Sequence, residues 1–192
     1  MRLFFAVDMP ILPPWDPERN ADAPGPAAAP AHLTLRFLGE RPESMVAALE
    51  RAGAEASAGV RSFAVDLRSI GAFPSNRSPR IVWLGVRTGR EELVTLERRL
   101  SDALTLLGIP AETRAFVPHV TWRRIRSRND LVRARRWLEE GELRAPVEGR
   151  IGALLLKESE LSESGARHRT LGTFPLAEEP LSDQVGSRPT SS

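Results

Sequence analysis

Short strand-like patterns and longer helix-like patterns alternate irregularly along the chain. Strands are predicted over 2–7, 32–38, 62–70, 80–86, 119–124, 147–157 and 166–176, where apolar positions form short runs or alternate with polar ones. Apolar residues three and four positions apart predict helices over 42–56, 91–107 and 129–140. Because strands often follow one another without an intervening helix, the order favours an α+β fold with antiparallel sheets.

Two segments lack such patterns. Residues 10–31 contain seven prolines and an alanine-rich run, which cannot hold a regular helix or a central strand, so we expect a loop there. Residues 177–192 have the composition of a disordered tail. The predicted organisation is therefore a single domain over 1–176 followed by that tail.

The composition is that of a globular protein, with 41% hydrophobic and 27% charged residues among 192. No apolar run approaches the roughly 18 residues that span a bilayer, and the N-terminus lacks the pattern of a signal peptide. The absence of cysteine excludes disulfides, thiolate nucleophiles and cysteine-based zinc sites. We expect a cytoplasmic protein without a membrane segment, and a monomer, since no pattern indicates an oligomer.

Positive charge is concentrated in one stretch, although the formal net charge is only +2. Seven arginines lie between residues 123 and 136. Such a run is typical of a solvated helix face. It is also typical of a surface that binds RNA phosphates, because arginine stays ionised and can bind phosphate through two N–H groups. The sequence leaves both interpretations open.

The chain contains three histidines, and each is followed two residues later by a threonine. The three pairs are His32 and Thr34, His119 and Thr121, and His168 and Thr170. The first two pairs lie in similar contexts, HLTLR and HVTWR, and so form a short internal repeat. The third pair has the charged Arg169 where the other two have an apolar residue.

A His-x-Thr strand presents its imidazole and its hydroxyl on one face, because alternate residues of a strand point the same way, roughly 6.5–7 Å apart. Two such strands across a cleft would bring both pairs to one small anion. One imidazole can accept a proton from water while the other donates one to the leaving oxygen. Hydroxyls and an arginine can bind the remaining oxygens. This chemistry is typical of phosphodiester cleavage without a metal ion.

Two other interpretations of the histidines stay open on the residues alone. A histidine on a half-buried strand is often a structural hydrogen-bonding group. Histidines also bind zinc, but the carboxylates near His32 and His119 do not have the spacing of further metal ligands. The repeat favours the catalytic interpretation over both.

The sequence resembles the 2H phosphoesterases, and within them the RNA 2′,3′-cyclic phosphodiesterases that are also described as 2′-5′ RNA ligases. The family's two His-x-Thr-x motifs are matched by HLTL at 32–35 and HVTW at 119–122. Further similar segments are MRLFFAVDMP, HLTLRFLGE, IVWLGV, FVPHVTWRRI and LLLKESELSESGARHRTLGTFPL, so the matches run from residue 1 to about 176. The resemblance implies a bilobal α+β fold, with two antiparallel sheets flanking a central cleft and helices outside.

The resemblance also implies an activity, the hydrolysis of 2′,3′-cyclic phosphates at RNA ends to 2′-phosphates without a cofactor or metal. His32 would be the proton donor to the ribose 3′-oxygen, and His119 the proton acceptor that activates water. Thr34 and Thr121 would bind the phosphate. RNA ends bearing the cyclic phosphate would be the partner, and members of the family can run 2′-5′ ligation weakly in reverse.

A basic residue five positions after the second histidine is usual in the family, and here it is Arg124. Strand alternation instead favours Arg123, so we expect Arg124 at the phosphate only if a bulge or the strand end reorients it. Arg123 and Arg36 are second choices. His168 falls where the family has an aromatic residue, and we interpret it as a replacement for that ring near the cleft, not as a third catalytic histidine.

Three functions are compatible with these features. The first is an RNA 2′,3′-cyclic phosphodiesterase; the second keeps the chemistry but acts on another cyclic phosphate or on a 2′-5′-linked oligonucleotide. The third is a non-catalytic RNA-end-binding module that uses the arginines of 123–136. Two histidines favour an enzyme, because binding alone needs no proton carriers. The loop at 10–31 departs from the helix and short strand of the family, which affects substrate reach on that side of the cleft.

Overall fold

The computed structural model describes residues 1–9, 31–162 and 165–178. Its elements are β1 (Arg2–Asp8), β2 (His32–Glu40), α1 (Val46–Ser57), β3 (Phe63–Ser75), β4 (Ser78–Val86), α2 (Arg90–Leu106), β5 (His119–Arg124), α3 (Arg128–Glu140), β6 (Glu142–Ile151), β7 (Ala153–Ser162) and β8 (Gly165–Pro175). The predicted loop at 10–31 lies outside the described residues except for residue 31. The predicted tail lies outside them except for residues 177 and 178.

The strands form two antiparallel four-stranded sheets, which confirms the predicted α+β architecture. Sheet 1 has the order β2-β1-β7-β8 and sheet 2 the order β5-β4-β3-β6. Helices α1 and α2 pack on each other, with α1 against β7 and β8 and α2 against β2. Helix α3 packs on β3, β4 and β6. None of the helices in the described ranges is both long and apolar enough to cross a membrane.

Alternation along β1 separates the two faces of sheet 1. Leu3, Phe5 and Val7 point into the apolar core. Phe4 and Ala6 are just as buried but lie outside that core. The second face of this central strand is therefore also covered, and the rings that cover Phe4 belong to the candidate site.

The strand predicted over 147–157 is wrong, because the structure contains two strands there. β6 pairs with β3 in sheet 2, whereas β7 pairs with β1 and β8 in sheet 1. The break falls at the exposed Gly152. The apolar sequence is continuous across the break, because Ile151 is buried in sheet 2 and the three leucines at 154–156 are buried in sheet 1.

Residues 71–79, which separate two of the predicted strands and are rich in turn-forming residues, are mostly strand. β3 continues to Ser75 and β4 starts at Ser78, so the hairpin closes over Asn76 and Arg77. The side-chain carbonyl of Asn76 accepts a hydrogen bond from the backbone N–H of Ala72 at 3.0 Å. This side-chain bond supports a tight turn in place of the longer loop.

The start of α3 is tied to β5 by one buried carboxylate. Asp130 accepts backbone N–H bonds from Arg126 and Ser127 at 3.1 Å each, and Ser127 caps the helix in return. The same carboxylate accepts two bonds from the guanidinium of Arg123 at 3.0 and 3.1 Å. Burial by itself raises the pKa of Asp130, but these donors outweigh it and hold the pKa below the ordinary 3.8.

Substitution of Asp130 by alanine is expected to lower the free energy of unfolding by about 1–3 kcal/mol, because the helix loses its cap and Arg123 its partner. A depressed folded-state pKa means that this stabilisation is present above the ordinary value of 3.8 and is lost as the pH falls below it. Urea unfolding of the wild type and the variant at neutral and acidic pH measures both effects. Glu139→Ala, a substitution at an exposed position of the same helix, is the control. An Asp130→Ala variant as stable as the wild type at neutral pH would contradict the stabilising role of Asp130.

Candidate active site

Each of the two repeated motifs begins an edge strand. β2 is the edge of sheet 1 and β5 the edge of sheet 2, and the two strands contact each other. His32 is the first residue of β2, and His119 the first residue of β5. The two strands that carry the motifs therefore lie where the sheets meet.

Register places His32 and Thr34 on one face of sheet 1. They pair with Asp8 and Ala6 of β1, which alternate with the core residues of that strand. Both motif side chains are half-buried, whereas Leu33 between them is fully buried in the core. The predicted division of faces along this strand is thus observed.

β5 carries a β-bulge at Trp122, directly after the motif threonine. Thr121 and Arg123 pair with adjacent residues of β4, so Trp122 has no partner of its own in the ladder and the alternation shifts by one residue. As a result, Arg123 pairs with the buried Val82 and lies on the face toward α3, where it binds Asp130, whereas Arg124 lies on the face of Thr121. The structure therefore places Arg124 on the cleft side of β5, and it is exposed there.

β2 has a bulge at the equivalent position, Leu35, which turns Arg36 to the core face. Arg36 is 4% exposed and donates a hydrogen bond to the carbonyl of Pro110. The carboxylates of Glu97 and Glu112 lie 3.9 Å from its guanidinium nitrogens. Arg36 thus joins β2 to α2 and the segment that follows it, and it lies on the opposite face from the two motif side chains.

His119 is held by one hydrogen bond and two rings. Its Nδ1 lies 2.7 Å from the backbone carbonyl of Val117. Because a carbonyl only accepts, Nδ1 carries the hydrogen, and in the neutral ring Nε2 keeps its lone pair. Phe73 meets the ring edge-on at 5.0 Å between centroids, and Trp83 lies at 6.0 Å. Burial lowers the pKa of His119, and the bond to Val117 partly opposes this.

Two glycines make room for the indole beside His119. A side chain at Gly71 would overlap the Trp83 ring, and a Cβ at Gly85 would lie 2.9 Å from it. Gly85 pairs directly with His119 across the β4–β5 ladder. No sequence motif indicates this role of the two glycines, since only the strand register brings them under the indole.

His32 is surrounded by rings and charged groups. Its ring centroid lies 5.3 Å from that of Phe4 and 4.8 Å from that of His168. Burial, followed by the effects of His168 and Lys157, lowers the pKa of His32 to about 4, while Asp8 acts in the opposite direction. His32 is therefore neutral at pH 7 in the unliganded protein.

Lys157 is a further site residue that the motifs do not indicate, and it is the only lysine among the 27 lysines and arginines of the chain. It is 7% exposed, and its Nζ lies 2.5 Å from Oδ1 of Asp8. It pairs with Phe4 on β1 and Thr170 on β8, which places it on the cleft side of sheet 1. One buried lysine in a strand of leucines was the signal that could have identified it, because a lysine is rarely buried without a partner.

The described residues contain no group of three or more histidine, aspartate or glutamate side chains that could hold a metal ion. The one carboxylate that faces His32, that of Asp8, is paired with Lys157, and the other polar groups of the two motifs are hydroxyls and the arginine at 124. Such groups bind an anion directly.

Comparison with known proteins agrees with this geometry. The sequence profile of the 2′-5′ RNA ligase superfamily matches residues 9–161. The RNA 2′,3′-cyclic phosphodiesterase of Aeropyrum pernix is 37% identical over 143 residues, which cover 73% of this chain and 78% of that protein. The protein of the same name from Methanothermobacter thermautotrophicus is 31% identical over 188 residues, which cover 92% and 99%.

Solved structures of similar fold include TT0787 of Thermus thermophilus, with a TM-score of 0.69 and 26% identity over 93% of this chain and 100% of that one. LigT of Escherichia coli, solved in complex with 3′-AMP, has a TM-score of 0.65 and 26% identity over 92% and 98%. The resemblance in the motifs is thereby confirmed. The chain belongs to the 2′-5′ RNA ligase superfamily of 2H phosphoesterases.

Proposed function

We propose that the protein is an RNA 2′,3′-cyclic phosphodiesterase, a hydrolase that opens the cyclic phosphate at an RNA end to a 2′-phosphate. One observation carries this proposal: both His-x-Thr motifs begin edge strands that meet between the sheets. The names of relatives that are 31% and 37% identical support the same substrate. The RNA end is the only partner that the chemistry requires.

In the proposed reaction, His119 accepts a proton from water and His32 donates one to the ribose 3′-oxygen. The water oxygen forms a bond to phosphorus, the bond from phosphorus to the 3′-oxygen breaks, and a 2′-phosphate and a 3′-hydroxyl result. In-line displacement puts the nucleophile and the leaving group on opposite sides of phosphorus. Histidines on two different sheets suit this requirement, and the Nε2 lone pair of His119 suits proton acceptance.

His32 must carry a proton to act as the donor, yet its pKa is about 4 in the unliganded protein. An anionic phosphate beside an imidazole favours the charged form of the ring and raises its pKa. Binding of the substrate would therefore favour the protonated form of His32, which is the form that can donate a proton. The two motif histidines together need only one proton, on His32, because His119 acts as the acceptor in its neutral form.

The remaining cleft-side groups of the motifs would bind the phosphate. Thr34 and Thr121 would donate hydroxyl hydrogen bonds to the non-bridging oxygens, and Arg124 would offset their growing negative charge. The register of the bulged strand supports Arg124 over Arg123 for this role, because Arg123 binds Asp130 on the other face.

An RNA oligonucleotide ending in a 2′,3′-cyclic phosphate tests the proposal. We expect the wild type to add one water to it in the presence of EDTA, as measured by mass spectrometry. A 2′-phosphate end resists a phosphatase specific for 3′-phosphates, which identifies the bond that broke. His32→Ala and His119→Ala are expected to lose turnover while keeping most of the affinity for the RNA end.

Three results would contradict the proposal. Turnover only after addition of a metal ion would exclude the two-histidine mechanism. Binding without turnover in the wild type would favour an RNA-end-binding module, and turnover of a 2′-5′-linked oligonucleotide alone would favour another substrate. The monomeric state and the cytoplasmic location stay predictions.

A further inference from the structure

His168 is the histidine that the proposed reaction does not use. It lies on β8, in register with Ser159 of β7 and two residues before Thr170, which pairs with Lys157. His168 is exposed to solvent on one side. On the other side its ring meets His32 edge-on, with centroids 4.8 Å apart and an interplanar angle of 77°.

Phe4 joins the two imidazoles into a three-ring cluster. Its centroid lies 5.3 Å from that of His32 and 5.1 Å from that of His168. Phe4 is 1% exposed on a central strand, so it forms a rigid base for both rings. An imidazole that packs on Phe4 and on a second imidazole has little freedom to rotate, because edge-to-face contacts favour one orientation of each ring.

The two motif histidines are oriented in different ways. A backbone carbonyl, that of Val117, sets the orientation and tautomer of His119. The ring contacts of His32 are those with Phe4 and His168. Phe4 lies beneath His32 on the neighbouring strand, whereas His168 reaches it from the far strand of the sheet.

We propose that His168 is a positioning residue for His32, which holds the proton donor in its reactive orientation through the edge-on contact between the rings. The proposal rests on the proposed function, because it concerns the proton donor of that reaction. His168 does not itself exchange a proton with the substrate.

The charged and titratable groups that face His32 are consistent with this role. They are Asp8 on β1, Lys157 on β7 and His168 on β8. Burial and the Lys157 cation lower the pKa of His168, so it is neutral at pH 7. At that pH it therefore acts on His32 as a neutral ring, and a phenyl or phenol ring of similar size can replace it.

Three substitutions at one position separate a positioning ring from a proton carrier. Relative to the wild type, His168→Ala is expected to lower kcat about 10–100-fold and to change KM by less than about threefold, because a misoriented donor slows the chemical step more than binding. His168→Phe and His168→Tyr restore the ring and are expected to bring kcat back to within about threefold. Arg167→Ala, an exposed substitution on the same strand, is the control.

A histidine titration followed by NMR supplies a readout that does not depend on turnover. The chain has only three histidines, so each resonance is assigned by the loss of one signal in a variant. His168→Phe is expected to raise the pKa of His32, because the substitution removes the electrostatic effect by which His168 lowers that pKa. The pKa of His119 on the other sheet is expected to stay where it is.

The two readouts distinguish failure of this proposal from failure of the proposed function. A wild type without activity on cyclic phosphates would refute the function, while the titration would still test the contact between His168 and His32. Wild-type kcat in His168→Ala, or an unchanged His32 titration in His168→Phe, would overturn the positioning role. A His168→Phe variant as slow as His168→Ala would also overturn it, because the imidazole would then act through its own proton.

Discussion

His32→Ala is expected to turn over a normal cyclic phosphate about 10²–10⁴ times more slowly than the wild type, and a sulfur in place of the 3′-oxygen is expected to restore most of the rate. A general acid contributes by protonating the leaving oxygen. A thiol has a pKa of roughly 8.5, far below that of an alcohol, so a thiolate leaves without a proton. A variant that lacks only the proton donor should therefore recover on the sulfur substrate.

The matched variant on the other sheet should behave differently. His119→Ala lacks the group that activates water, so it should hydrolyse the sulfur substrate about 10²–10⁴-fold more slowly than the wild type does. The measurement is single-turnover hydrolysis of the oxygen and sulfur substrates by the wild type and both variants. Recovery of His119→Ala instead of His32→Ala would show that the roles are reversed. Recovery of neither variant would contradict leaving-group protonation by His32.

Arg124→Ala and Arg123→Ala are expected to have opposite effects, although the two arginines are neighbours. Arg124 lies on the cleft side of the bulged strand, where its charge can stabilise the non-bridging oxygens. Its loss should lower kcat about 10²–10³-fold, as does loss of one donor to a developing oxyanion, and should leave the free energy of unfolding within about 0.5 kcal/mol.

Arg123→Ala should instead lower stability and spare turnover. It leaves the buried Asp130 carboxylate with fewer donors, at a cost of about 1–3 kcal/mol in the free energy of unfolding. Steady-state kinetics and urea unfolding of both variants give the four values that are needed. If Arg123→Ala lost turnover and Arg124→Ala kept that of the wild type, Arg123 and not Arg124 would be the arginine that binds the phosphate.

Part of the site follows from the sequence because it depends on local periodicity. His32 and Thr34 share a face since they lie two residues apart in a strand, and the repeated context of His119 and Thr121 indicates a second strand of the same kind. The apolar residue inside each motif predicts which face is buried, and Leu33 and Val120 are buried accordingly.

Other features could not be predicted because they depend on which strands become neighbours. The apolar stretch from Ile151 to Leu156 is continuous in sequence, and only the packing of two sheets divides it between β6 and β7 at Gly152. The bulge at Trp122 is a mismatch with β4, so strand alternation alone assigns the cleft face to Arg123. Family resemblance, not alternation, indicated Arg124.

The sequence by itself determined the residue types of the chemistry: two histidines, each with a threonine two positions on, and no cysteine to compete with them. Only the tertiary structure decided what surrounds each imidazole. His168 and Lys157 come from strands far along the chain, yet both act on His32 because β7 and β8 complete its sheet. Burial and electrostatic effects depend on distance in space, so the low pKa of His32 is a property of the folded chain.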